Sequence, residues 1–92
     1  TTEADQVLSI VNEIITSESD LAPHYCQSIG ILSPYREQVD YIRRKIEKQL
    51  SLEALKRHHL LIGTPYSFQG EERDIMILSL TIDADIHPSA LQ

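Results

Sequence analysis

The chain of 92 residues has one cysteine, no tryptophan, three glycines and only five aromatic residues, four Tyr and one Phe. A single thiol, Cys26, cannot form an internal disulfide, and it excludes a Cys-rich zinc site. It fits a reducing compartment, so a cytoplasmic location is expected, or the nucleoid or nucleus in a eukaryote. No apolar run approaches the roughly 18 residues that a bilayer span needs. No basic stretch followed by an apolar one opens the chain, as a secretory signal would require. No membrane partner is expected. Bases are scarce too. Eight Lys and Arg against fourteen Asp and Glu give a net charge of −6, which excludes a uniformly basic nucleic-acid clamp.

What is present is ordinary globular material, with 41% hydrophobic and 24% charged residues, enough for one small domain. The charge is uneven. Residues 1–30 hold five acids and no Lys or Arg, residues 31–60 hold seven bases and four acids, and residues 61–92 hold one base and five acids. The basic segment Arg36 to Arg57 reads first as a solvated helix face, with Asp40 placed to pair with Arg44 four residues on.

Residues 4–16 have Val7, Val11 and Ile14 at helical spacing, with Thr1 or Thr2 available as a cap and acids in the first turn. Residues 28–32 and 59–63 are short apolar runs that read as buried strands, and residues 74–81 give a third. Between the first two, Val39, Ile42, Ile46 and Leu50 mark a helix over 36–50, and a further helical piece spans 51–57. Strand, helix, strand predicts a parallel βαβ unit. The expected fold is α/β: a three-layer, open, mostly parallel sheet with flanking helices. Two main helices leave little to cover two faces, so the pattern is that of part of such a domain. The chain's last residues, Pro88 to Gln92, bring no obvious closing element.

In open α/β sheets, ligands sit beyond the carboxyl ends of the strands. Two such ends are polar here: Ser33 to Gln38, leading into a helix whose first turn carries Arg36, and Thr64 to Asp74. An Arg fork suits phosphate, and a carboxylate suits ribose hydroxyls. The same residues carry a family resemblance. Ile29-Gly-Ile-Leu-Ser-Pro-Tyr-Arg-Glu-Gln38 resembles motif IV of superfamily 1 helicases of the Upf-like and Dna-two-like branch. Ile62-Gly-Thr-Pro-Tyr-Ser-Phe-Gln-Gly-Glu-Glu-Arg-Asp-Ile-Met-Ile-Leu-Ser79 resembles motif V, marked by Phe-Gln-Gly-x-Glu-x-Asp before a hydrophobic strand. The two stand in the right order and cover roughly residues 28–81.

The resemblance implies residues 1–92 as a partial second, C-terminal RecA-like (P-loop NTPase-type) domain of an ATP-driven translocase on nucleic acid. It implies that Glu72 holds the ATP ribose, that Gly70 lies near the nucleotide, and that Gln69 and Gln38 belong to the nucleotide side. Ser33, Pro34, Thr64 and Ser67 fall along the nucleic-acid path. In some relatives the phosphate-sensing arginine follows the glutamine. That position is Val39 here, a core-type residue, and Arg36 is the candidate in its place.

Blander roles compete with each of these. Glu72 can pair with Arg73 or Arg44, Gly70 can simply turn the chain, and Tyr35 and Tyr41 can cover the sheet rather than stack bases. No acid–His spacing around His58 or His59 suggests a metal ligand, and none is expected. No Gly-x-x-x-x-Gly-Lys-Ser/Thr loop or strand-end Asp-Glu pair is present. ATP with Mg2+ would therefore be held mainly by the first RecA-like domain, which is one expected partner, with single-stranded DNA or RNA as the other. An arginine finger contributes on the order of 10³–10⁵ in rate, and the motif VI arginine is not in the chain, so the polypeptide alone is expected not to hydrolyse ATP. The alternative is a non-catalytic α/β protein-interaction module derived from a helicase-like domain.

Overall fold

A computed structural model describes residues 2–83. The expected readings on Thr1 and on the Pro88–Gln92 end lie outside the described residues. Three strands, β1 (Ile29–Leu32), β2 (Leu61–Gly63) and β3 (Ile75–Leu78), form one sheet in the order β2-β1-β3. All pairing is parallel: Gly30, Ile31 and Leu32 stand opposite Leu61, Ile62 and Gly63, and Ile29 to Leu32 stand opposite Ile75 to Leu78. Helix α1 spans Glu3–Ser17, α2 Arg36–Gln49 and α3 Leu52–Arg57. The expected α/β architecture is therefore present, each strand shorter than its apolar run.

Thr2 caps α1. Its hydroxyl accepts from the Asp5 N–H at 3.1 Å, and the Asp5 carboxylate accepts from the Thr2 N–H at 3.3 Å. That reciprocal box satisfies two donors the helix cannot satisfy itself. Asp5 also meets Lys45 of α2 at 2.9 Å, and the Lys45 ammonium lies 5.4 Å from the Tyr41 ring centroid. Tyr41 thus packs against the core under a lysine. Asp40 pairs with Arg43, not with Arg44 as the spacing suggested, at 3.6 Å. Three-residue spacing also brings side chains together on a helix, and Arg43 is the arginine that turns toward the sheet.

Ala4, Val7 and Val11 of α1, Val39, Ile42 and Ile46 of α2, and Ile29, Ile31 and Ile62 of the sheet form one buried cluster. Successive strand residues point to opposite faces, so both long helices cover the face of Ile29 and Ile31. The other face carries Gly30, Leu32, Gly63, Met76 and Leu78. Among the described residues its cover comes from the connection between β2 and β3. Because β3 runs parallel to β2 and on the far side of β1, residues 64–74 must travel back along the whole sheet. They lie as a strap across it. A Cβ on Gly30 would come within 2.8 Å of Phe68 Cε1 and 2.7 Å of Met76 Sδ, and one on Gly63 would come within 2.5 Å of Ser67 Cβ. The two glycines let the strap lie flat. Beyond it, Met76, Leu78 and Leu80 stay exposed. No described helix is long and apolar enough to cross a membrane.

Candidate nucleotide and nucleic-acid site

The carboxyl edge of the sheet gathers the end of motif IV and the start of motif V. Ser33 N–H donates to the Gly63 carbonyl at 3.1 Å, which fixes Ser33 beside Thr64. Ser33 is fully buried, and its hydroxyl accepts from the Tyr35 N–H at 3.2 Å. It shapes the loop, while Pro34 and Tyr35 form its exposed surface. Arg36 opens α2, exposed, with no ion pair among the described residues. Val39 is fully buried, as its place in the core stripe requires.

Thr64 precedes a short 3-10 turn over Pro65–Phe68, and its carbonyl accepts from the Ser67 N–H at 2.9 Å. Tyr66 projects into solvent, 81% exposed, so it does not pack as a core aromatic. Gln69 and Gly70 follow, both exposed, and Gly70 has φ +77°, a conformation that favours glycine.

The rest of motif V lies elsewhere. Arg73 Nε donates to the His59 carbonyl at 2.8 Å, just before β2. Asp74 and Ser28 exchange two bonds at 2.8 Å, just before β1. Residues 71–74 therefore sit at the amino edge, about 13 Å from Thr64 by the length of a four-residue strand. The sequence reading placed the whole of residues 64–74 beyond a carboxyl end. Only its beginning is there, because parallel β2 and β3 force the strap to return. Arg73 does not pair with the Glu72 carboxylate. It takes the Glu71 carboxylate at 3.0 Å and the Glu72 backbone carbonyl at 2.8 Å. The Glu72 side chain stays exposed, with no polar contact among the described residues. Ser28, Phe68, Glu71, Glu72, Arg73, Asp74 and Met76 line an open pocket there.

Gln38 is fully buried. Its amide donates to Ser79 Oγ at 3.0 Å and to Asp83 Oδ2 at 2.8 Å, and its carbonyl accepts from the Asp83 N–H at 2.7 Å. Ser79 Oγ donates in turn to Glu3 Oε1 at 2.6 Å, and the Ala4 N–H donates to Asp83 Oδ2 at 2.7 Å. The Ser79 hydroxyl holds the Glu3 carboxyl below the usual carboxylate range. Both amide protons of Gln38 are engaged within the chain. The network binds the first turns of α1 and α2 to the end of β3. Glu3, Ser79 and Asp83 were invisible as a site in sequence. Gln38 was marked in sequence only by the motif IV resemblance, which put it on the nucleotide side.

Arg43 was also missed. Its guanidinium donates to the Ile62 carbonyl at 2.6 Å. Ile62 lies on an edge strand, and its carbonyl would otherwise be a free pairing group.

The AAA domain family matches residues 1–87. The chain is 30% identical over 90 residues to "Putative helicase mov-10-B.1" of Danio rerio, covering 95% of this chain and 9% of the relative. It is 42% identical over 53 residues to "DNA polymerase alpha-associated DNA helicase A" of Saccharomyces cerevisiae, covering 58% and 7%. "Putative helicase MOV-10" of Gallus gallus is 34% identical over 86 residues, covering 86% and 9%. The chain thus spans less than a tenth of the length of these relatives. No solved structure gives a significant match. With the two motifs, the parallel sheet and these relatives together, the chain belongs to the AAA domain family, on the superfamily 1 helicase side of it.

Proposed function

We propose that the chain is part of the second RecA-like domain of an ATP-dependent DNA or RNA helicase or translocase. Its roles are strand grip and nucleotide sensing. The observation that carries this reading is the adjacency of Ser33 and Thr64 at the carboxyl edge, with Arg36, which has no ion pair among the described residues, in the first turn of the helix that follows. Thr64, Ser67 and Pro34 meet the phosphates of a single strand, with buried Ser33 holding their loop in shape. Arg36 senses phosphate of ATP whose Mg2+ is held mainly by the first RecA-like domain. Glu72 takes the ribose, with Gly70 and Gln69 letting the nucleotide approach. Gln38 acts as a positioning residue, since its amide is committed to Ser79 and Asp83. Closure of two such domains around ATP is a two-state change biased by the γ-phosphate.

The test is in the full-length protein. Glu72→Ala is expected to weaken ATP binding with little effect on strand affinity. Thr64→Ala is expected to weaken single-strand binding with little effect on ATP affinity. ATP affinity and turnover unchanged by Glu72→Ala would remove the ribose role.

A further inference from the structure

Three segments distant in sequence bring metal-ligating side chains together at the amino edge of the sheet, beside the residues that anchor Arg73 and Asp74. Glu18 follows α1, Cys26 follows a 3-10 turn over Pro23–Tyr25, and His58 follows α3. A carboxylate oxygen, the thiol sulfur and a ring nitrogen from the three all lie within 4.8 Å of one another. Cys26 is 8% and His58 2% exposed, and the Glu18 side chain is 13% exposed. No spacing rule finds this trio, because its members stand at 18, 26 and 58.

We propose that Glu18, Cys26 and His58 form a binding site for a divalent transition-metal ion, with Zn2+ the best match. A thiolate, an imidazole and a carboxylate are the donor types zinc takes, and three protein ligands leave a fourth position for water. Bonds of about 2.0–2.3 Å at tetrahedral angles put ligand atoms roughly 3.3–3.8 Å apart. The cluster must therefore contract by about 1 Å. Each ligand caps the carboxyl end of a helix or 3-10 turn. The Gln27 peptide already orients two of them. Its N–H donates to Glu18 Oε1 at 2.7 Å, and its carbonyl oxygen lies 2.7 Å from His58 Nδ1. His58 Nδ1 lies 4.0 Å from Glu18 Oε1, so ligation through this nitrogen would exchange its Gln27 contact for the metal.

The charges also suit a dication. Binding releases the Cys26 thiol proton to solvent and forms a sulfur–metal bond. Thiolate and carboxylate then neutralise the metal. The Arg57 guanidinium, whose Nη2 is 3.7 Å from Sγ, then faces a neutral centre and donates to its sulfur. The metal would staple the connection before β1 to the turn before β2.

The test is a Co2+ titration of the reduced 92-residue chain, with folding followed by circular dichroism. One equivalent is expected to give sulfur-to-cobalt absorption in the near ultraviolet and the visible bands of four-coordinate Co2+, both displaced by Zn2+. C26S is expected to abolish the near-ultraviolet band. H58A and E18Q are each expected to weaken binding by about tenfold or more, as loss of a supporting contact alone already does. H24A and H59A, at neighbouring exposed histidines, should leave it unchanged. No band in the wild-type chain would overturn the proposal. So would binding indifferent to both H58A and E18Q, or weakened as much by H24A as by H58A.

Discussion

Alanine at Gly63 tests whether the strap is pinned to the sheet. The new Cβ would lie 2.5 Å from Ser67 Cβ and 2.6 Å from its Oγ. Ordinary carbon–carbon contact begins near 3.5 Å, so one side must yield by about 1 Å. Ser67 cannot escape by changing rotamer, since its Cβ is fixed by its own backbone. That backbone is held by the bond from the Ser67 N–H to the Thr64 carbonyl, at 2.9 Å. Two effects of opposite sign compete. Gly63 does not have positive φ, so without a clash alanine would stabilise by about 0.4–1 kcal/mol through the unfolded chain. Overpacking costs about 1–3 kcal/mol. The clash wins, and a net loss of roughly 1–2 kcal/mol is expected. In a chain this size each 1 kcal/mol lowers the melting temperature by about 4–8 °C. Urea melts of G63A, S67G and the double variant close a cycle. S67G removes the opposing carbon, so it should restore most of what G63A loses, with a coupling of about 1 kcal/mol or more. A G63A chain more stable than wild type, or effects that simply add, would refute the pinned strap.

Gln38→Ala should lower the urea midpoint by an amount worth about 2–4 kcal/mol, because it strands the partners on Asp83 and Ser79; a loss below about 1 kcal/mol would mean the network holds nothing. The pH dependence has a definite sign. Hydrogen bonding to Lys45 and Thr2 lowers the Asp5 carboxyl to about 2 from 3.8. Its contribution is whole above the unfolded value and is lost as pH falls through 3.8 toward about 2. Lys45 is raised above 10.5 by the same contact, so its share is whole below 10.5 and is lost as pH rises through the folded value. D5N should flatten both limbs in thermal melts from pH 2 to 5 and above pH 10, and unchanged limbs would contradict the pairing.

The elements were legible because local signals carried them. Val7 and Val11, the Val39–Ile42–Ile46 stripe and the Ile-rich strands all point where the core lies. Motif spacing located Ser33, Thr64 and Arg36 at one edge because each immediately follows, or begins the helix after, a strand end. Glu72 was misplaced along the sheet because strand order is not a local property. Nothing between Thr64 and Asp74 tells that β3 pairs on the far side of β1. Long-range polar partners were hidden for the same reason. The motif IV resemblance singled out Gln38, yet its partners at 79 and 83, and Glu3 behind Ser79, come from two other segments. Arg43 and Arg44 looked alike on the helix, and only the edge position of β2 distinguishes them.

The division of motif V has a mechanical consequence under the proposed function. Its strand-gripping end, Thr64, and its ribose end, Glu72, stand about a strand length apart. Coupling between distant sites needs an element with discrete arrangements that both ends bias. The strap qualifies as one body rather than a loose loop. Ser67 sits against Gly63, Phe68 sits against Gly30, and Arg73 ties its far end to His59 and Glu71. The fits at Gly63 and Gly30 lack room for even one added carbon, which seats the strap against the sheet. A nucleotide that displaces the Glu72 backbone would load the Arg73 contacts and, through the seated strap, Thr64. The two glycines then matter to function through stiffness, by linking two chemistries that the sheet itself keeps apart.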